Sequence, residues 1–191
     1  MRSPSNRLTR ADRVSGLGQM GYGMAANVRK KLPSQSTLFV NDVNRSACEK
    51  FKEEYSSHGA IEIIDTAKEV ASKSSILISI VPASQHVKQV YLDKENGVIA
   101  TTPNDNRLIL ECSTIDVDST REVGKATMDA GCGHYVDTPV SVSLQHQPTC
   151  CYVAADSGRE AQKELQQAYY PLCWDAPSPM HTPVKLDKLF H

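Results

Sequence analysis

Apolar positions in this chain alternate between a helical and a strand rhythm, and that alternation predicts an α/β fold. Met20, Met24, Val28 and Leu32 recur every fourth residue, which lays one apolar stripe along a helix from about Gln19 to Leu32, ended by Pro33. Residues 37–40, Thr-Leu-Phe-Val, then form a short buried strand. Ala47, Phe51 and Tyr55 return to helical spacing, residues 61–64 to a strand, and residues 66–72 to a short helix. Residues 75–81 are almost continuously apolar, as suits a strand covered on both faces, and Pro82 stops it. Ser84 is placed to cap a helix carrying Val87, Val90 and Tyr91. An Asn96-Gly97 turn precedes Val98-Ile99, and residues 107–112 make the next strand. Asp116 or Asp118 caps a helix through about Ala130, and Gly131 and Gly133 end it. Residues 134–136 and 150–153 are two further strands, and Ala161, Leu165 and Ala168 mark a last amphipathic helix. Prolines at 171, 177, 179 and 183 interrupt everything beyond, so 171–191 is expected to be an irregular tail.

The pattern is weakest at its start. Residues 8–15 precede the first helix, yet Arg10, Asp12 and Arg13 are charges that a central parallel strand would have to pair or solvate. The first strand is therefore expected to be short and irregular, or the beginning of the chain to be foreign to the domain. Residues 1–13, with four arginines and one acid, are expected to be a disordered arm that faintly resembles a mitochondrial presequence without its apolar face.

Chemistry enters where the first strand meets the first helix. Gly16-Leu17-Gly18-Gln19-Met20-Gly21 has the glycine spacing of a loop that wraps a pyrophosphate. Gly16 permits the sharp turn, Gly18 removes the Cβ that would keep backbone from phosphate, and Gly21 lets the helix pack on its strand. The N–H groups and dipole of the helix start then hold the anion. Asp42 lies roughly 20 residues further on, after the next strand, where an acid binds an adenosine ribose and repels a 2′-phosphate. That favours NAD, with NADP left open because Arg45, just beyond, suits a 2′-phosphate. A turn started by Asp42 with Asn44 is the structural alternative. The fold expected is Rossmann-like: a doubly wound, mainly parallel sheet with right-handed crossovers, over residues 14–170.

Composition narrows the partners. A 40% apolar and 23% charged chain is ordinary for a globular protein, and a net charge of −1 argues against nucleic acid or an anionic membrane. No apolar run approaches a membrane span. The six cysteines lack CxxC spacing and read as reduced thiols of an intracellular protein, and the histidines show no metal-ligand spacing, so no metal is expected.

Four ordered blocks carry a resemblance: the glycine loop with Met24-Ala25-Ala26-Asn27; residues 79–84, Ser-Ile-Val-Pro-Ala-Ser; residues 112–116, Cys-Ser-Thr-Ile-Asp; and residues 137–141, Asp-Thr-Pro-Val-Ser. Together, over roughly residues 14–168, they resemble the N-terminal domain of the β-hydroxyacid dehydrogenases of 3-hydroxyisobutyrate dehydrogenase type, with the NADP-binding domain of 6-phosphogluconate dehydrogenase as the wider group. The resemblance implies oxidation of a small 3-hydroxy acid with NAD. It places Val81, Pro82 and Ser84 along the cofactor's ribose, Ser113 and Thr114 near the nicotinamide, and Ser141 on the substrate's carboxylate or hydroxyl. It also suggests a mitochondrial matrix address, with the cytoplasm as alternative, and a homo-oligomer.

The departures bear on activity. The family follows Pro-Val-Ser with two glycines, but Val142 and Ser143 stand here, and each adds a Cβ where backbone approaches substrate. The loop 144–148 is short and lacks glycine. The family's catalytic lysine belongs to a helical second domain, in a motif followed by two asparagines. Lys185, followed by Leu186, keeps only a fragment of it. Without a positioned lysine, acid–base assistance worth typically ~10²–10⁴-fold is missing. The expectation is a cofactor domain, weak or inactive alone; a non-catalytic dinucleotide-binding module and an interaction protein are the alternatives.

Overall fold

The computed structural model describes residues 12–140. Six parallel strands form one sheet in the order β3-β2-β1-β4-β5-β6: β1 (Asp12–Ser15), β2 (Leu38–Asn41), β3 (Ile61–Ile63), β4 (Ile76–Ser79), β5 (Leu108–Glu111) and β6 (His134–Asp137). Helices α1 (Gln19–Lys31), α2 (Arg45–Tyr55), α3 (Ala67–Lys73), α4 (Ser84–Leu92) and α5 (Val117–Asp129) cross between them. This is the doubly wound arrangement the alternating pattern predicts.

The period-2 geometry of the strands divides the core into two layers. Val14, Val40, Ile78 and Leu110 face one side, where they pack with Ala25 and Val28 of α1 and Cys48 and Phe51 of α2. Phe39, Leu77, Ile109 and Tyr135 face the other, against Val70, Val87, Tyr91 and Val123 of α3, α4 and α5. Both faces of β4 and β5 are therefore covered, which explains their unbroken apolar sequence. Each fully buried Val, Leu, Ile or Phe among them contributes about 1.5–3 kcal/mol by burial.

The charged start of the chain is the largest departure from expectation. β1 is short, as expected, but its register is regular and central: Val14 pairs with Val40 on one side and Ile78 on the other. Backbone pairing on two sides, with Val14 fully buried, holds a strand that its side chains alone would not announce. The arm 1–11, the strand expected at 150–153, the helix around Ala161 and the tail 171–191 lie outside the described residues.

Ser84 does not cap α4: the cap is Ala83, whose backbone is extended, and Ser84 is the first helical residue. Asp116 rather than Asp118 caps α5, its Oδ1 accepting the Ser119 N–H at 2.8 Å. At the C-terminal end of α1, the fully buried Arg29 guanidinium donates to the carbonyls of Leu32, Pro33, Ser36 and Ala60, which satisfies groups the helix end leaves open and fixes the turn into β2. Val98-Ile99 forms part of a single 3₁₀ turn, with Val98 buried. Among the described residues no helix is long and apolar enough to cross a membrane, and no cluster of metal-ligating side chains occurs.

Candidate functional site

The strand order sets the place of the site. The chain moves outward from β1 to β2 and β3, then returns to β4 on the far side of β1, so the loops leaving β1 and β4 diverge and open a crevice at their C-terminal ends. A cleft of about 700 Å³ occupies that crevice, in the size range of small-molecule and cofactor sites.

The three glycines of the loop have three different surroundings. Gly16 has φ +95°, a conformation that favours glycine, and a Cβ there would stand 2.0 Å from the Ile80 carbonyl oxygen. A Cβ on Gly21 would stand 1.9 Å from the Gly16 carbonyl oxygen, so α1 packs on the loop by glycine contact. Gly18 differs: nothing lies within 4 Å of its Cβ position. It is the N-cap of α1, with no side-chain cap and no acid in the first turn, so the positive helix start is free to receive an anion.

Asp42 follows β2 on the same edge. Its Oδ2 accepts the Leu17 N–H at 2.6 Å and its Oδ1 the Asn44 N–H at 2.7 Å, so the turn with Asn44 and the place in the cleft coexist. Arg45 pairs with Asp65 and, at 3.7 Å, with Glu49.

The opposite wall comes from β4 and β5. Val81 donates its N–H to Ser113 Oγ at 2.8 Å, and Pro82 and Thr114 line the cleft beside them. Gly16, Gly18, Gln19, Met20, Gly21 and Asp42 complete the residues that the structure brings together from the sequence reading. Two stand apart. Leu17 buries its side chain in the core and presents only its N–H to Asp42, and Ser84 turns its hydroxyl to Asp116 Oδ2 at 2.6 Å. Ser141 and Lys185 lie outside the described residues, as do Val142 and Ser143.

Sequence reasoning missed His86. It lies in the first turn of α4, lines the cleft, and its buried Nδ1 has no hydrogen-bond partner among the described residues. The signal was the four-residue spacing of His86 and Val90, which puts both on the face of α4 that meets the cleft.

A family model for the NAD binding domain of 6-phosphogluconate dehydrogenase matches residues 13–148. The chain belongs to this family. Among curated relatives, the probable mitochondrial 3-hydroxyisobutyrate dehydrogenase of Dictyostelium discoideum is 38% identical over 145 residues, covering 75% of this chain and 37% of the relative. The NAD-dependent L-serine dehydrogenase of Pseudomonas aeruginosa is 34% identical over 66% of this chain and 39% of its own length. This chain thus spans less than two-fifths of either. Among solved structures, the Mycobacterium tuberculosis 3-hydroxyisobutyrate dehydrogenase with L-serine aligns at a TM-score of 0.68 and 22% identity, covering 86% of this chain and 52% of that one, a likeness of fold. The family's dinucleotide-binding fold is therefore present here, with its glycine loop at the start of α1.

Proposed function

We propose that this domain binds NAD(H) across the β1/β4 crevice and serves as the cofactor half of a dehydrogenase that oxidises a small 3-hydroxy acid. The observation that carries the reading is Gly18, the one loop glycine whose missing Cβ leaves open space at an uncapped helix start, the shape a pyrophosphate requires. Gly18, Gln19 and Met20 would hold the pyrophosphate, Asp42 the adenosine ribose, and Val81, Pro82, Ser113 and Thr114 the nicotinamide half. When bound, the nicotinamide supplies the hydride acceptor. The protein's own contribution is to place that ring against the substrate and to exclude water there.

Asp42, which lines the cleft beside the glycine loop, supports a preference for NAD, because a carboxylate that binds the adenosine ribose would repel a 2′-phosphate. Arg45, the nearest candidate to offset that charge, is engaged by two acids. The named substrates of the relatives, 3-hydroxyisobutyrate and L-serine, both carry a 3-hydroxyl beside a carboxylate, and Ser141 is the candidate to contact that carboxylate. A mitochondrial address is supported by the Dictyostelium relative's name and tested with a fluorescent fusion.

A second reading, a dinucleotide-binding module that turns nothing over by itself, draws on the matched family model, which describes a cofactor domain. Calorimetric titration with NADH and NADPH tests the first claim, with saturable binding that prefers NADH as the expected result. Reduction of NAD in the presence of 3-hydroxyisobutyrate or L-serine separates the two readings. Absence of binding to either nucleotide overturns both.

A further inference from the structure

Beneath the β4–β5 wall lies a carboxyl group that the dinucleotide reading does not use. Glu111 ends β5 with 0% exposure, and both its oxygens are engaged. Oε1 accepts the Ser113 N–H at 2.8 Å, and Oε2 accepts the Ser79 hydroxyl. Ser79 ends β4, is also fully buried, and its Oγ meets the Tyr91 hydroxyl from α4.

These contacts close a ring. From Glu111 the path crosses to Ser79, follows the backbone to Val81, crosses through the Val81 N–H to Ser113 Oγ at 2.8 Å, and returns through the Ser113 N–H to Glu111. The strand ladder continues it, with the Cys112 N–H on the Ser79 carbonyl at 2.7 Å. Two members of the ring, Val81 and Ser113, line the cleft; the other two are sealed in the sheet.

A self-satisfied buried network is the plainer account, but it leaves the location unexplained. A carboxyl group in the middle of a parallel sheet is costly to desolvate, and burial pushes Glu111 above its ordinary pKa against the opposing hydrogen bonds from Ser113 and Ser79. An apolar side chain would fill the same space without that cost. What this arrangement adds to the backbone ladder is a side-chain tie between the two segments just beyond the strand ends, at the ligand edge of the sheet. Asp42 lies on the β2 side of β1, whereas Val81 and Ser113 lie on the β4–β5 side. A dinucleotide with its ribose at Asp42 and its pyrophosphate at Gly18 therefore carries its nicotinamide half over Val81 and Ser113.

We propose that Glu111 is a positioning residue which, through Ser79 and Ser113, holds the β4–β5 wall at the spacing that receives the nicotinamide–ribose half of the cofactor. The proposal rests on the dinucleotide reading given above. It is tested on the full chain, comparing the unsubstituted protein with Glu111→Gln and Ser79→Ala by calorimetric titration with NADH and with ADP, alongside thermal unfolding. ADP, which lacks the nicotinamide and its ribose, reports the half of the site that the ring does not touch. The expected result is NADH binding weakened roughly tenfold in each variant, as for loss of a buried hydrogen bond, with ADP affinity held within about twofold. Unchanged NADH affinity overturns the proposal, as does an equal loss for both ligands in a variant that still unfolds cooperatively. If Glu111→Gln does not fold, Ser79→Ala, which removes only one buried oxygen, decides the matter. If the unsubstituted chain binds neither ligand, the dinucleotide reading fails and takes this proposal with it; binding that leaves the variants unaffected removes this proposal alone.

Discussion

Asp42, just past β2, holds the backbone N–H of Leu17, inside the glycine loop, at 2.6 Å. The residue that reads the adenosine ribose in our proposal thus also ties the phosphate loop to the neighbouring strand, so loop geometry and cofactor choice share one carboxylate. Asp42→Asn keeps the shape and gives up the charge. The NADPH-to-NADH affinity ratio is expected to rise about tenfold, with a stability loss of about 1 kcal/mol from the weakened Leu17 or Asn44 bond. Titration with both nucleotides checks this, and an unaltered ratio removes Asp42 from the ribose role.

Arg45 gives a second handle on the same choice. Its partners Asp65 and Glu49 are both solvent-exposed, so the pairing is weak and sensitive to salt. Asp65→Asn frees the guanidinium, and NADPH affinity is expected to rise about threefold or more at low ionic strength while NADH affinity stays level. No change in NADPH affinity would show that Arg45 does not meet a 2′-phosphate.

The loop glycines separate binding from folding. Gly18→Val places its side chain in open space, so the melting temperature should move by only a few degrees, roughly, while NADH binding is lost. Gly21→Ala drives a Cβ into the Gly16 carbonyl and should cost about 1–3 kcal/mol whether or not nucleotide is present. Thermal unfolding and titration of the two variants give opposite signatures. A Gly18→Val protein that binds NADH as tightly as the parent would end the fingerprint reading.

Acid should loosen the junction of α4 and α5. The Ser84 hydroxyl and then the Ser119 N–H bond Asp116, which lowers its pKa to about 2. A carboxylate whose pKa is lower folded than unfolded adds stability above its unfolded pKa, and that stability fades as pH falls toward the folded value. In urea unfolding, Asp116→Asn should be less stable than the parent at about pH 6, and the gap should close between about pH 4 and pH 2. A gap that is constant with pH would mean the cap contributes without its charge.

The helices and the buried strands could be read from residues because their patterns are dense: Met24 and Val28 on α1, or the run 76–79 on β4, admit few other placements. The glycine loop was legible for the same reason, since three glycines at fixed spacing each meet a different physical demand. β1 was not, because its position is secured by backbone pairing to β2 and β4, which the charges at 12 and 13 conceal. Ser84 was misread as a cap because the cap is Ala83, where the extended backbone turns, and Ser84, the first helical residue, serves Asp116 instead. Glu111 and His86 escaped notice because one reads as a polar strand end and the other as a surface helix residue until the third dimension is given.

The central position of β1 has a consequence for the chain as it is made. β1 is synthesised before the other described strands, yet one of its two pairing edges is completed only by Ile76–Ser79 of β4. A nascent chain that has emerged as far as β3 can form β1, β2 and β3, and must then carry β1 as a bare strand edge, open to any other extended chain nearby. The β1 edge closes when β4 docks, and the open edge then passes to β4 until β5 follows.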